Sequence, residues 1–278
     1  MHKGVFFFPT DYAIEVPELA QELENRGFES LFLCEHTHIP TSRRSPFPGG
    51  GELPRHYIHT HDPFVALSFA ASVTKNLKLG TGICLVIQRD PIVTANTIAS
   101  LDMLSGGRFI FGAGGGWNLE EMENHGTDPK TRFKLLRERL LAMKAMWTEE
   151  EASFRGDYVN IEPSWCYPKP VQRPHPPIIL GGETVHTLRR VVEFCDGWLP
   201  RAAPAGAPEE TMAKLKAVAD EAGRDMSTLS VTVFRPQPAR ETVDAYEAAG
   251  ATRVLLEMPS VARDDALKKL DEYAPLLN

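Results

Sequence analysis

Four consecutive polar residues, Glu35, His36, Thr37 and His38, follow directly on the apolar run Ser30 to Cys34. Such a run reads as a strand buried on both faces, and polar groups at its C-terminal end stand where α/β barrels carry their chemistry. Histidine changes charge near neutral pH, so His36 beside Glu35 suits a group that gives or takes a proton next to a bound substrate. The plainer alternative is a structural hydrogen bond. His36-Thr37-His38 also matches the two-histidine signature of metal-dependent barrel hydrolases. That chemistry needs further histidines or a carboxylate from other strand ends. The corresponding ends read Gly181-Gly182 and Leu199-Pro200-Arg201, which leaves Glu257 alone, while His56, His59 and His61 fall within a long loop. No G-x-S-x-G occurs, which argues against a serine hydrolase.

Two glycine-rich turns form the second group of interest. Gly112-Ala113-Gly114-Gly115-Gly116-Trp117-Asn118 follows one apolar strand and Gly181-Gly182-Glu183-Thr184 another. Glycine lets backbone amides approach an anion or a flat ring closely, and a helix N-terminus after the second turn adds its dipole. The first turn does not match the Rossmann fingerprint, because Trp117 stands at its last glycine. Two tight strand-to-helix turns without a ligand are the competing interpretation. Glu183 is out of keeping with a phosphate, since a carboxylate there repels it. Either Glu183 turns into solvent, or the phosphate sits nearer Gly115.

These residues must be positioned by strands and helices that alternate along the chain. The expected strands are Gly4 to Phe8, Ser30 to Cys34, Leu77 to Leu85, Arg108 to Gly112, Ile178 to Leu180, Gly197 to Leu199, Leu229 to Phe234 and Arg253 to Glu257. Between them, helices are expected over Val16 to Arg26, closed by Gly27, over Phe64 to Thr74, and from Pro91 to the stop at Gly106-Gly107. Further helices cover Arg132 to Trp147, the segment through Leu188 and Val192, and Glu209 to Ala222. Phe133, Leu136, Leu140 and Met143 share one face of the long helix, which predicts core packing for all four. Eight strands in alternation with helices predict a closed (β/α)8 barrel in a single domain, residues 1–278, with an open doubly wound sheet as the alternative. The segment Ile39 to Asp62 is too long for a turn and leaves a strand's C-terminal end, so it reads as a lid. Glu150 to Pro177 contains a short hairpin around Gly156 to Tyr158.

Composition narrows the class. Among 278 residues, 42% are apolar and 24% charged, a globular balance, and 37 acidic against 30 basic residues give a net charge of −7. No basic block tracks a phosphate backbone, so nucleic acid is not an expected partner. No run of eighteen apolar residues suggests a membrane helix, and the opening Val5 to Phe8 is too short for a signal-peptide apolar region. A cytoplasmic protein acting on a small-molecule substrate, and assembled as a homodimer, is expected. Cys34, Cys84, Cys166 and Cys195 lie too far apart for a C-x-x-C site and read as buried thiols.

Several segments, in order and spacing, resemble the bacterial-luciferase-like superfamily of flavin and deazaflavin oxidoreductases, especially its F420-dependent subgroup. They are Glu35-His36, Leu79 to Ile83, Arg89-Asp90-Pro91, Leu101 to Arg108, Gly112 to Trp117, Ile179 to Gly182 and Asp196-Gly197-Trp198. The resemblance implies a barrel with the cofactor ring over strands two to four. His36 matches the histidine near the reactive carbon, and Glu35 the acidic residue beside it. Gly82 and Ile83 match the bulge behind the ring, with a non-prolyl cis peptide between them. Gly114, Gly115, Gly116, Gly181, Gly182 and Thr184 match the lining of cofactor and phosphate, and Trp117 and Glu183 fall in the same segments. Trp117 stands where the superfamily's sugar-phosphate dehydrogenases have a glutamate, which implies a different substrate. The implied cofactor is F420, with an FMN-dependent monooxygenase as the alternative and a flavin-binding protein without turnover as a third reading. Arg43, Arg44, Arg55, Lys169, Arg173 and Arg201 are the cations expected to attract the anionic F420 tail.

Overall fold

The computed structural model describes residues 1–202 and 208–277. Its strands are β1 (His2–Phe7), β2 (Ser30–Leu33), β3 (Lys78–Thr81), β4 (Cys84–Leu85), β5 (Phe109–Gly114), β6 (Ala152–Arg155), β7 (Asn160–Ser164), β8 (Ile178–Gly181), β9 (Gly197–Leu199), β10 (Ser230–Phe234) and β11 (Arg253–Met258). The α-helices are α1 (Val16–Arg26), α2 (Pro63–Val73), α3 (Pro91–Leu104), α4 (Leu119–Asn124), α5 (Arg132–Thr148), α6 (Val185–Phe194), α7 (Pro208–Glu221), α8 (Arg240–Ala248) and α9 (Arg263–Tyr273).

Parallel pairing runs β3-β2-β1-β11-β10-β9-β8-β5-β4, and β3 also pairs with β5, which closes the ring. Since β3 and β4 are two parts of one stave, this is the eight-stranded (β/α)8 barrel. Register is in phase around it, with Phe7 opposite Met258, Leu33 opposite Thr81 and Ala113 opposite Leu180. The expected continuous strand Leu77 to Leu85 is interrupted at Gly82–Ile83, whose peptide is cis. There the chain leaves the ladder while Gly82 N–H still donates to Leu33 O at 2.8 Å.

Sequence explains the staves and their helices. Every residue of β5 is buried and so is every residue of β2, as strands covered on both faces require. The barrel interior is a small cluster containing Phe6, Phe32, Ile110, Ile179, Leu199 and Leu255. Phe32 fits because Gly80 has no side chain: a Cβ there would lie 2.4 Å from the Phe32 ring. Asp62 and Asp90 cap α2 and α3, each accepting two backbone N–H groups ahead of a first-turn proline, and each cap contributes about 1 kcal/mol.

Arg108 does not open β5 as expected. It is buried beneath the barrel, where its guanidinium donates to the carbonyls of Ala71, Thr74, Leu77 and Ser105. These bonds satisfy the end of α2 and make an otherwise costly buried charge tolerable. Strand β5 consequently starts at Phe109 and runs on through Gly114, so only Gly115 and Gly116 belong to the turn. The hairpin β6–β7 is antiparallel, and Glu138 of α5 holds its tip by accepting from the N–H groups of Asp157, Tyr158 and Val159. All four cysteines are buried free thiols.

Candidate active site

A cavity of about 760 Å³ opens at the C-terminal ends of the barrel strands. Its lining draws on the whole rim, from Phe6 of β1 and His36 after β2 to Ile83, Trp117 after β5, Gly182 after β8, Leu199, Phe234 and Glu257. Of the residues expected from sequence, Glu35, His36, Gly82, Ile83, Gly115, Gly116, Trp117, Gly181, Gly182, Glu183 and Thr184 all line it. Gly114 lies one layer back. A Cβ on Gly114 would fall 1.8 Å from Ile83 Cδ1, so this glycine makes room for the isoleucine that forms the cavity floor.

His36 is buried, and its Nδ1 lies 2.8 Å from Glu121 Oε2 on α4. The carboxylate accepts from Nδ1, which leaves Nε2 as the ring nitrogen without a partner in the scaffold. The His36 ring stands 5.1 Å from Tyr57 and 5.8 Å from Trp117 between centroids. Glu35 has a different situation. One of its oxygens accepts from Leu85 N–H and the other from Arg89, so its carboxylate ties β2 to β4. Burial opposes the charge on Arg89, but Glu35 and Asp62 outweigh it and hold the guanidinium's pKa above its ordinary value.

The segment after β2 folds over the cavity as a cover, with Phe47, Pro48, Pro54, His56 and Tyr57 facing inward. Its anchor is α4. Glu120 accepts from the backbone and the hydroxyl of Ser45, Arg44 pairs with Glu123, and Asn124 meets His38 at 2.9 Å. Burial raises the Glu120 carboxyl pKa, yet the Ser45 bonds prevail and bring it down to about 2.

At the other side, over β5 and β8, the cavity is cationic. Thr184 caps α6 by accepting from Thr187 N–H at 3.1 Å, and Gly182 adopts φ +119, where a side chain would be strained. Arg132 and Arg190 both stack on Phe133, at 4.5 and 4.3 Å from its centroid. Neither forms an ion pair among the described residues, and Arg132 Nε is buried without a hydrogen-bond partner. Glu183 is exposed, as one of the two expected arrangements requires, and Arg201 binds its carboxylate at 3.0 Å through two nitrogens, which weakens its repulsion of an anion. A flat apolar floor, two glycine turns and unpaired guanidinium groups at a helix N-terminus fit a flavin-type ring with an anionic tail.

The sequence pattern of luciferase-like monooxygenases matches residues 5–273. The chain belongs to this luciferase-like monooxygenase family. An uncharacterized protein of Mycobacterium tuberculosis is 37% identical over 100% of this chain and 99% of its own length. The F420-dependent hydroxymycolic acid dehydrogenase of Mycobacterium tuberculosis is 28% identical over 76% of this chain and 55% of its own. Among solved structures, the coenzyme F420 dependent tetrahydromethanopterin reductase from Methanopyrus kandleri superposes with TM-score 0.74 at 18% identity, covering 100% of this chain and 99% of that one. As a luciferase-like enzyme the protein is an oxidoreductase.

Several site residues of this luciferase-like barrel escape a reading of sequence alone. Phe133, expected in the core, lines the cavity with Arg132 and Arg190. Helical spacing places Phe133 beside Leu136 and Leu140, and nothing in that spacing reveals that the first turn of α5 overhangs the strand ends. Of the six cations expected at the mouth, Arg201 lines the cavity and the other five, Arg173 included, do not. Arg44 pairs with Glu123, Arg55 stacks on Tyr12, and Lys169 donates to the carbonyls of Met146 and Glu149. Arg43 stacks on Trp117, 5.9 Å from its centroid. Glu121 falls in a segment for which the sequence predicts no element, and the available signal is Asn118, whose side chain caps α4 by accepting from Glu121 N–H.

Proposed function

We propose that this luciferase-like protein is a cytoplasmic oxidoreductase that transfers a hydride between the deazaflavin F420 and a small organic substrate. The observation that carries this reading is the pair of unpaired guanidinium groups, Arg132 and Arg190, beside the α6 N-terminus. They suit a coenzyme whose tail bears several negative charges. When bound, the reduced coenzyme would supply a hydride to substrate carbon while a proton reaches substrate oxygen, so that a ketone becomes an alcohol and the coenzyme is oxidised.

The chain's own residues provide the rest. Ile83 would carry the ring, and Gly115, Gly116, Gly181, Gly182 and Thr184 would let the tail approach the backbone. His36 presents Nε2 to the cavity and holds or gives the substrate proton, with Glu121 fixing its tautomer. Glu35 positions this apparatus through Leu85 and Arg89. Tyr57, Phe47 and Trp117 exclude water from the reacting atoms.

We also propose a homodimer through the neighbouring helices α2 and α3, which leave Val65, Phe69, Val93 and Leu104 exposed. Phe69→Glu should release monomers in sedimentation. The coenzyme assignment is tested by fluorescence titration with F420 and FMN, followed by turnover of His36→Asn. Expected are tighter binding of F420 and, in the variant, intact binding with turnover lowered about a hundredfold or more. Tighter binding of FMN would overturn the coenzyme assignment, and near-normal turnover would move the proton to another residue.

A further inference from the structure

The cavity has two compartments of opposite character, and the second names a substrate class. Over β5 and β8 the charges are unpaired cations, Arg132 and Arg190. Over β1, β2 and β10 every charged group has its partner: Glu35 with Arg89, His36 with Glu121, Arg235 with Glu257 at 2.7 Å. Arg201 is likewise held by Glu183. Burial lowers the pKa of His56, so that ring stays neutral.

What remains there is aromatic surface. Phe234 lies 4.1 Å from Phe6, and Phe8 is 4.7 Å from Tyr57 and 4.4 Å from His56 between centroids. Tyr57 continues the chain to Phe47 at 5.2 Å and Trp117 at 6.2 Å. Burial also pushes the Tyr57 phenol well above its ordinary pKa, so it meets a ligand as a neutral O–H donor. An anionic group moved into such a compartment loses its hydration and finds no free cation among its lining residues, since Arg43 stacks on Trp117 from outside them, a cost that disfavours it. An apolar ring gains burial and aromatic contact instead.

We infer that this compartment takes an uncharged, mainly apolar carbonyl compound, an aryl or alicyclic ketone by class, with its oxygen near His36 and Tyr57. Phosphorylated and carboxylated substrates are rejected. The inference rests on the oxidoreductase reading for one point, the allotment of the cationic compartment to the coenzyme.

Acetophenone and benzoate test it, because they are nearly the same size and differ in charge. Both are titrated calorimetrically into protein saturated with F420, and into Arg190→Ala protein without coenzyme, where the cationic end is weakened. Acetophenone should bind at least tenfold tighter than benzoate in both. Tyr57→Ala and Phe47→Ala, checked for folding by circular dichroism, should each weaken acetophenone severalfold or more. Benzoate binding as tightly as acetophenone, or folded variants with unchanged acetophenone affinity, would overturn the inference. Failure of F420 itself to bind, read from its own fluorescence, sinks the coenzyme reading and leaves the ketone comparison in Arg190→Ala protein to decide this one.

Discussion

Replacing Arg190 by alanine should weaken F420 binding about ten- to a hundredfold and leave the fold intact. Arg190 is half-buried, makes no ion pair among the described residues and lies with its guanidinium 4.3 Å from the Phe133 centroid. Glu193, the carboxylate that acts on it, already has an ion pair with Arg137 at 2.6 Å. A charge-assisted hydrogen bond to a phosphate or carboxylate contributes about 1.5–3 kcal/mol, and roughly 1.4 kcal/mol is a factor of ten in affinity. Loss of one such contact therefore gives the stated range. Arg132 supplies a second cation, which is why the loss is not total. The assay is quenching of deazaflavin fluorescence at several salt concentrations. Wild-type affinity should fall as salt rises, and the variant's should fall less steeply. The riboside lacking the phosphate tail is the control, and its affinity should be nearly equal in both proteins. A change below twofold for F420, or an equal loss for the riboside, would refute the placement of the tail at this end.

Three further outcomes follow from the same geometry. Gly114→Ala should keep the fold but force Ile83 into the cavity, with an overpacking cost of about 1–3 kcal/mol and a drop of several degrees in Tm; the check is thermal melting beside coenzyme titration, where binding should suffer more than stability. Glu121→Ala should reduce turnover far more than Glu121→Gln, since glutamine can still accept the His36 Nδ1 proton, and equal activity of wild type and Glu121→Ala would remove the dyad from the mechanism. Glu120 has a folded pKa of about 2, below the ordinary carboxylate range, so its contribution to the cover is full above about pH 4.5 and fades as pH falls toward 2. The Tm gap between wild type and Glu120→Gln should accordingly hold from neutral pH to about pH 4.5 and close only in stronger acid.

The barrel was legible because its strands are apolar on both faces and short, while its helices carry caps at fixed offsets. Asp62-Pro63 and Asp90-Pro91 announce α2 and α3 in the sequence and do the same work in the structure. Most of the rim was legible for a similar reason: a glycine turn or a polar residue directly after an apolar strand has one address in this architecture. Residues delivered by helices were not. Arg132 and Phe133 reach the cavity from the first turn of α5 and Arg190 from the second turn of α6, and their direction depends on how those helices cross the strand ends. Arg108 departs from its expected place in β5 because a buried guanidinium is rare, and the five acceptors that satisfy it come from Ala71, Thr74, Leu77 and Ser105.

Helix α4 carries the most consequence for its size. Six residues are too few for a periodic signal, and the sequence predicts no element over Glu120 to Asn124. The structure buries Glu120 and Glu121 because neighbouring carboxylates on one turn face different partners. Glu120 holds Ser45 of the cover, and Glu121 holds the His36 ring. A displacement of α4 therefore changes the seating of the cover and the orientation of the His36 ring together. In the proposed mechanism, water exclusion and tautomer control are separate requirements for proton transfer, and both would rest on this one short element. A variant that loosens the cover at Ser45 should for that reason disturb His36 as well, although Ser45 and His36 share no contact of their own.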